Sequence, residues 1–256
     1  MIEKSNITAM KLSINFFKGN YALSFGALAI LVVLLIFSAI PILGIIFVIL
    51  YSLLNISIQI YFGKSVNEID SIDEIATKAS EAKIADFLTK YLSIASGGFL
   101  GLFFIALLLF FIFFIISIPF GAINMQYFSN MNSNQLMFEM ATQYSIPSMI
   151  ILLIIGFLLY VFPAVFGKII FSENFNEAFK NSFLLLNPKF WKKTFNKEYF
   201  ILIFIWSIIV TFVYIFSILL SSTFILLPVA LLLLYLLSLY NAAIYVFAKE
   251  LLIDEK

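Results

Sequence analysis

The chain has 256 residues, 63% of them hydrophobic and only 11% charged, with a net charge of +1. Soluble domains carry about 25% charged residues, so this composition excludes a water-soluble globular protein and indicates an integral membrane protein. All 15 basic residues are Lys; with no Arg, His or Cys, the chain cannot form disulfides or thiolate metal sites, lacks the commonest general base, and offers nothing that points to a nucleic-acid partner.

From the N-terminus, Lys4, Lys11 and Lys18 precede a charge-free interval, 19–63. It is long enough for two spans of about 20 residues joined by a tight turn, placed at 21–39 and 42–62. The apolar run passes through "SAIPILG" (Ser38 to Gly44) straight into the next span, unlike a cleaved signal peptide. A loop follows with Lys64, Lys78, Lys83 and Lys90. In it Ser71 and Glu74 have capping-box spacing, and Ile72, Ile75, Ala76 and Ala79 recur at helical spacing. Ile84, Phe87, Leu88 and Tyr91 repeat that spacing on the way into a third span at 91–119. There Ser93, Gly97 and Gly101 form a stripe of small residues that permits close helix approach, within the chain or in a homodimer.

An external loop is expected over 120–146, its later part a short amphipathic helix with Leu136, Met137, Met140 and Tyr144, capping the bundle. The fourth span is expected at 147–169. After Lys168 and Lys180, "NPKFWKK" (187–193) breaks the chain at Asn-Pro and places Phe190 and Trp191 beside Lys189, Lys192 and Lys193. A second charge-free interval, 199–248, holds spans five and six at 199–221 and 225–248. Six spans put every Lys-bearing segment on one side and leave only Glu139 on the other, so the positive-inside rule predicts cytoplasmic termini.

Two echoes suggest a repeat. "YFGK", "VFGK" and "VFAK" end at Lys64, Lys168 and Lys249, which lie 23, 21 and 21 residues after Pro41, Pro147 and Pro228. The Lys is expected to snorkel, the Phe to anchor at the interface, and the Gly or Ala to keep the helix end slim. A-x-K-x-S recurs ahead of each hairpin, at Ala9–Ser13, Ala76–Ser80 and Ala178–Ser182, with Ala and Ser expected to face inward. The predicted architecture is therefore an all-α polytopic membrane protein and a single domain, 1–256. Its six transmembrane helices form three parallel hairpin repeats (about 1–66, 67–170 and 171–250), each preceded by a cytoplasmic interfacial amphipathic helix.

No ionisable residue lies in the middle of a predicted span, which disfavours a proton relay or buried ion site. The strongest polar set is Ser52, Asn55 and Gln59 on span two with Ser238 and Asn241 on span six, a comparable distance from the lysine side. These residues can line a polar intramembrane site or serve as interhelical hydrogen-bond glue. Lys64, Lys168, Lys189, Trp191, Lys192, Lys193 and Lys249 are the candidate contacts for anionic lipid headgroups. No catalytic constellation and no cofactor or metal motif is present; Asp70, Asp73 and Glu74 read as helix-capping acids.

The Lys-flanked hairpins, the "IPILG" turn and "F-x-E-A-F-K-N-S-F-L-L-L" (175–186) resemble a broad group of bacterial six-helix membrane proteins of unknown function. That group includes the membrane domain fused to some glycerophosphodiester phosphodiesterases. The resemblance implies a multi-pass module of the bacterial inner membrane with an envelope or lipid connection; lacking the phosphodiesterase domain, the chain inherits no catalysis from it. The leading expectation is a non-catalytic module that organises membrane lipid or a partner protein. The alternative is a transporter or channel for a small or amphiphilic solute, which a polar cavity between spans two and six would favour. A closed, dry bundle with a basic skirt would favour the first.

Overall fold

The computed structural model describes the backbone of residues 2–117 and 133–252, with side chains except at 116, 117, 133–147 and 224. It contains the helices α1 (Asn6–Gly19), α2 (Tyr21–Phe37), α3 (Gly44–Asn67), α4 (Glu74–Glu81), α5 (Ile84–Thr89) and α6 (Leu92–Ser117). These are followed by α7 (Ser133–Ile170), α8 (Phe175–Ser182), α9 (Pro188–Thr194), α10 (Lys197–Ser221) and α11 (Leu227–Glu250), with no strand among the described residues. Five helices, in α3, α6, α7, α10 and α11, are long and apolar enough to cross a membrane. The pair α1 and α2, bent by 99°, adds a sixth if it counts as one span.

The bend is built from Asn20. Its Oδ1 accepts from the Leu23 N–H at 2.9 Å and so caps α2, while its Nδ2 donates to the Ala79 carbonyl at 3.0 Å. One side chain thus ends α1, starts α2 and ties both to α4. α1 itself is held at its start, where Asn6 donates to the Leu202 carbonyl of α10 at 3.1 Å and accepts from the Tyr240 hydroxyl of α11.

The helices running toward the lysine end, α3, α7 and α11, form the centre, and α11 is the most enclosed. Of its most apolar stretch 61% is buried, against 17% for α6 and α10, whose Phe103, Phe110, Phe204 and Phe212 face outward. The F-[GA]-K segments are where these central helices converge. A Cβ on Gly63 would come within 2.9 Å of Ile170 and 3.3 Å of Val246, and one on Gly167 within 2.2 Å of the Tyr245 carbonyl oxygen. Phe62, Phe166 and Phe247 are all buried. They are core residues and not the interfacial anchors expected of them, because the small residue beside each draws the helices together and encloses the ring.

Three further expectations change. Residues 133–146 are helical and continuous with the fourth span, so α7 runs 38 residues through Pro147, about 57 Å of helix. The predicted external segment 120–132 and the side chains of Leu136, Met137, Met140 and Tyr144 lie outside what is described. Pro163, also inside α7, has no N–H for the Leu159 carbonyl, and one residue on, Tyr199 of α10 donates to the Tyr160 carbonyl at 2.7 Å, which ties α10 to α7 beside this gap. In the A-x-K-x-S segments Ala9, Ser13, Ala178 and Ser182 are buried, but in α4 the inward pair is Ile75 and Ala79 while Ser80 is exposed. Finally, Ser71 does not cap α4; it donates to Glu74 at 2.9 Å, and Glu74 reaches back to the Asp70 N–H at 3.0 Å.

Candidate functional site

The cleft between α2, α3, α10 and α11 encloses about 710 Å³ including its mouth. Leu28, Leu31, Val32 and Leu35 of α2 form one wall, and Leu231, Leu234 and Leu237 of α11 another. Between them lie Tyr51, Asn55 and Gln59 of α3, Tyr214 of α10, and Tyr235, Ser238 and Asn241 of α11. No lining residue is ionised at neutral pH. Asn55 lies nine residues before Lys64 and Asn241 eight before Lys249, about 14 and 12 Å along their helices, so the polar groups meet within the span and away from the lysines.

Ser238 joins the two helices. Its hydroxyl donates to Asn55 Oδ1 at 2.7 Å and accepts from Gln59 Nε2 at 2.9 Å. Nearby, Trp206 Nε1 of α10 donates to Asn241 Oδ1 at 2.8 Å. An indole N–H can only donate, so Trp206 fixes which way Asn241 points and leaves its NH₂ without a protein partner among the described residues. The Ser238 relay has two readings, since both amides could be turned over and the hydroxyl proton reversed. In either reading one of Asn55 and Gln59 retains a carbonyl oxygen and the other an NH₂. The unspent capacity is therefore the same whichever way the amides are assigned. Tyr235 Oη, also buried, lies beside the buried Ser24 hydroxyl of α2.

Of the five residues singled out from sequence, four line this cleft. Ser52 does not: its hydroxyl bonds the Val48 carbonyl of its own helix at 2.8 Å. Tyr51, Tyr214, Tyr235 and Trp206 were missed. Tyr235, Ser238 and Asn241 stand three apart along α11, a helical-face signal that would have flagged Tyr235. No local pattern flags Trp206, which reaches Asn241 from another span.

The lysines divide. Lys64 Nζ donates to the Ser172 carbonyl at 3.1 Å, and Lys249 Nζ lies 4.0 Å from the Phe171 ring centroid, so both turn back over the protein. Lys168, Lys193 and Lys249 line a recess, about 910 Å³ counting the open space at its mouth, with Asn181, Leu184, Phe190, Glu250 and Leu252. Its carboxylate, Glu250, is paired with Lys4 at 3.2 Å. Lys189 and Lys192 are exposed; Trp191 is half-buried, donating to the Leu185 carbonyl at 2.9 Å, and Phe190 is buried, so this pair packs into the protein.

The small-residue stripe of α6 is occupied within the chain. A Cβ on Gly97 would stand 2.2 Å from the Phe175 carbonyl oxygen of α8, and one on Gly101 2.6 Å from Ser182. Ser182 also donates toward the Gly98 carbonyl at 3.3 Å. Ser93 remains exposed. Among the described residues no group of three His, Cys, Asp or Glu is placed to hold a metal ion.

No family model, no curated protein and no solved structure matches this chain.

Proposed function

We propose that this chain is a non-catalytic membrane protein that binds a small or amphiphilic solute in the cleft between α3 and α11, as a transporter or carrier does. One observation carries this reading: an uncharged cleft inside the bundle holds amide groups whose hydrogen-bonding capacity the protein does not use up. Glue alone would leave no such surplus, because an unpaired amide in an apolar setting is costly. The test is mass spectrometry of small molecules and lipids retained by the purified protein, comparing the native chain with Asn55→Leu and Asn241→Leu. Selective loss of one retained species from both variants, with thermal stability nearly unchanged, supports the site. Identical retained species from all three proteins would refute it.

A second reading, organisation of anionic lipid, is favoured by the half-buried Lys168, Lys193 and Lys249, whose recess holds only a carboxylate already committed to Lys4. The two are compatible on one molecule. With both goes a topology: six spans in the bacterial inner membrane, built as three parallel hairpin units with interfacial helices on the cytoplasmic side. The convergence of the F-[GA]-K segments supports it. A Cys at Ser222 should react with an impermeant maleimide from outside and one at Ala85 should not; the opposite pattern would overturn the orientation.

A further inference from the structure

Resting on the reading of the cleft as a binding site, we infer that its ligand is an amphiphile with an uncharged, hydroxyl- and carbonyl-bearing head and a hydrocarbon tail, of the diacylglycerol kind. Burial along the cleft sets the orientation. Gln59, Ser238 and Tyr235 are 8%, 7% and 3% exposed, whereas Leu35 and Tyr214 on the rim are 46% and 49% exposed. The Gln59–Ser238 bond thus sits at the enclosed end, and the rim offers the apolar Leu35 beside the Tyr214 ring and hydroxyl, which suits a head pointing inward and a tail leaving toward lipid.

The head must be neutral. No cation lines the cleft, and an ionised group taken out of water without a partner costs several kcal/mol. It must also both accept and donate. Asn241, locked by Trp206, presents NH₂ and requires an acceptor; the Asn55–Gln59 pair presents one carbonyl and one NH₂. A hydroxyl beside an ester carbonyl satisfies all of these, whereas a pure hydrocarbon satisfies none.

The experiment uses the full chain in phosphatidylethanolamine vesicles with a diacylglycerol carrying a diazirine in one acyl chain. Cross-linked positions are mapped by mass spectrometry. Unlabelled diacylglycerol and phosphatidic acid with identical acyl chains serve as competitors. The expected result is cross-linking on α2, α3 or α11 within the cleft, with diacylglycerol competing at least about tenfold better than phosphatidic acid, about 1.4 kcal/mol. Asn241→Leu, verified as folded by its thermal transition, should reduce cleft cross-linking about fivefold. Equal competition by phosphatidic acid overturns the neutral-head inference and leaves the cleft as a binding site. Absence of cleft cross-linking from both the diacylglycerol and a diazirine-bearing phosphatidic acid overturns the cleft reading as well.

Discussion

Ser238→Ala separates an occupied or solvated cleft from a dry hydrogen-bond seam. The substitution removes one hydroxyl from a nearly isosteric side chain and with it two interhelical bonds, to Asn55 and Gln59. Measured interhelical hydrogen bonds in membranes average about 0.6 kcal/mol, so losing two costs about 1.2 kcal/mol if both amides then find other partners. Those partners would be water or ligand in the cleft. If the site is dry, two amides are stranded at about 1–3 kcal/mol each, and the total rises to about 2–6 kcal/mol. The assay is reversible unfolding in mixed micelles, with Asn55→Leu and the double variant completing a mutant cycle. The cleft reading expects a loss near 1 kcal/mol and a coupling energy below that. A loss above about 3 kcal/mol would refute an accessible cleft. No loss and no coupling would refute the hydrogen-bond relay itself.

Ile42, exposed in the turn between α2 and α3, has φ of 67°, a conformation that costs a β-branched residue on the order of 1 kcal/mol; Ile42→Gly should raise the thermal midpoint. Gly97→Ala should destabilise the protein by about 1–3 kcal/mol or more, because its Cβ would meet the Phe175 backbone, whereas Gly156→Ala, with nothing within 4 Å, should stabilise it by about 0.5–1 kcal/mol; thermal unfolding of the pair tests this contrast. The Asp70 N–H and the Ser71 hydroxyl hold the Glu74 carboxylate below its ordinary pKa. A folded-state pKa below the unfolded one contributes stability above the unfolded value, which is lost as pH falls through the folded value. The stability difference between the native chain and Glu74→Gln should therefore be present at neutral pH, begin to shrink as pH falls below the unfolded glutamate value of about 4.3, and vanish only below the lowered folded value, as followed by unfolding across pH.

Most of the membrane reading was legible in the linear sequence. Charge-free intervals and Lys positions are local properties, and they placed five apolar stretches within a few residues of α3, α6, α10, α11 and the apolar part of α7, Ser148–Ile170, but not the helical extension of α7 before it. The first was legible as apolar, but α2 is a shorter helix than expected, and its abrupt angle to α1 depends on Asn20 bonding to α4, fifty-nine residues away. That Asn55, Gln59, Ser238 and Asn241 are polar in apolar surroundings was equally plain, because an amide in a span demands a partner wherever it lies. Ser52 looked the same by that criterion and differs only because its hydroxyl can bond its own helix. What tertiary structure alone decided is the facing of the helices. It set Ser238 between Asn55 and Gln59, brought Trp206 to Asn241, turned Phe62, Phe166 and Phe247 inward, and spent the Gly97 groove on α8. An apolar side chain is nearly as well solvated by lipid as by a neighbouring helix, so hydropathy reports that a residue is in the membrane but not which way it points. That choice rests on close packing and on hydrogen bonds between segments far apart in the chain.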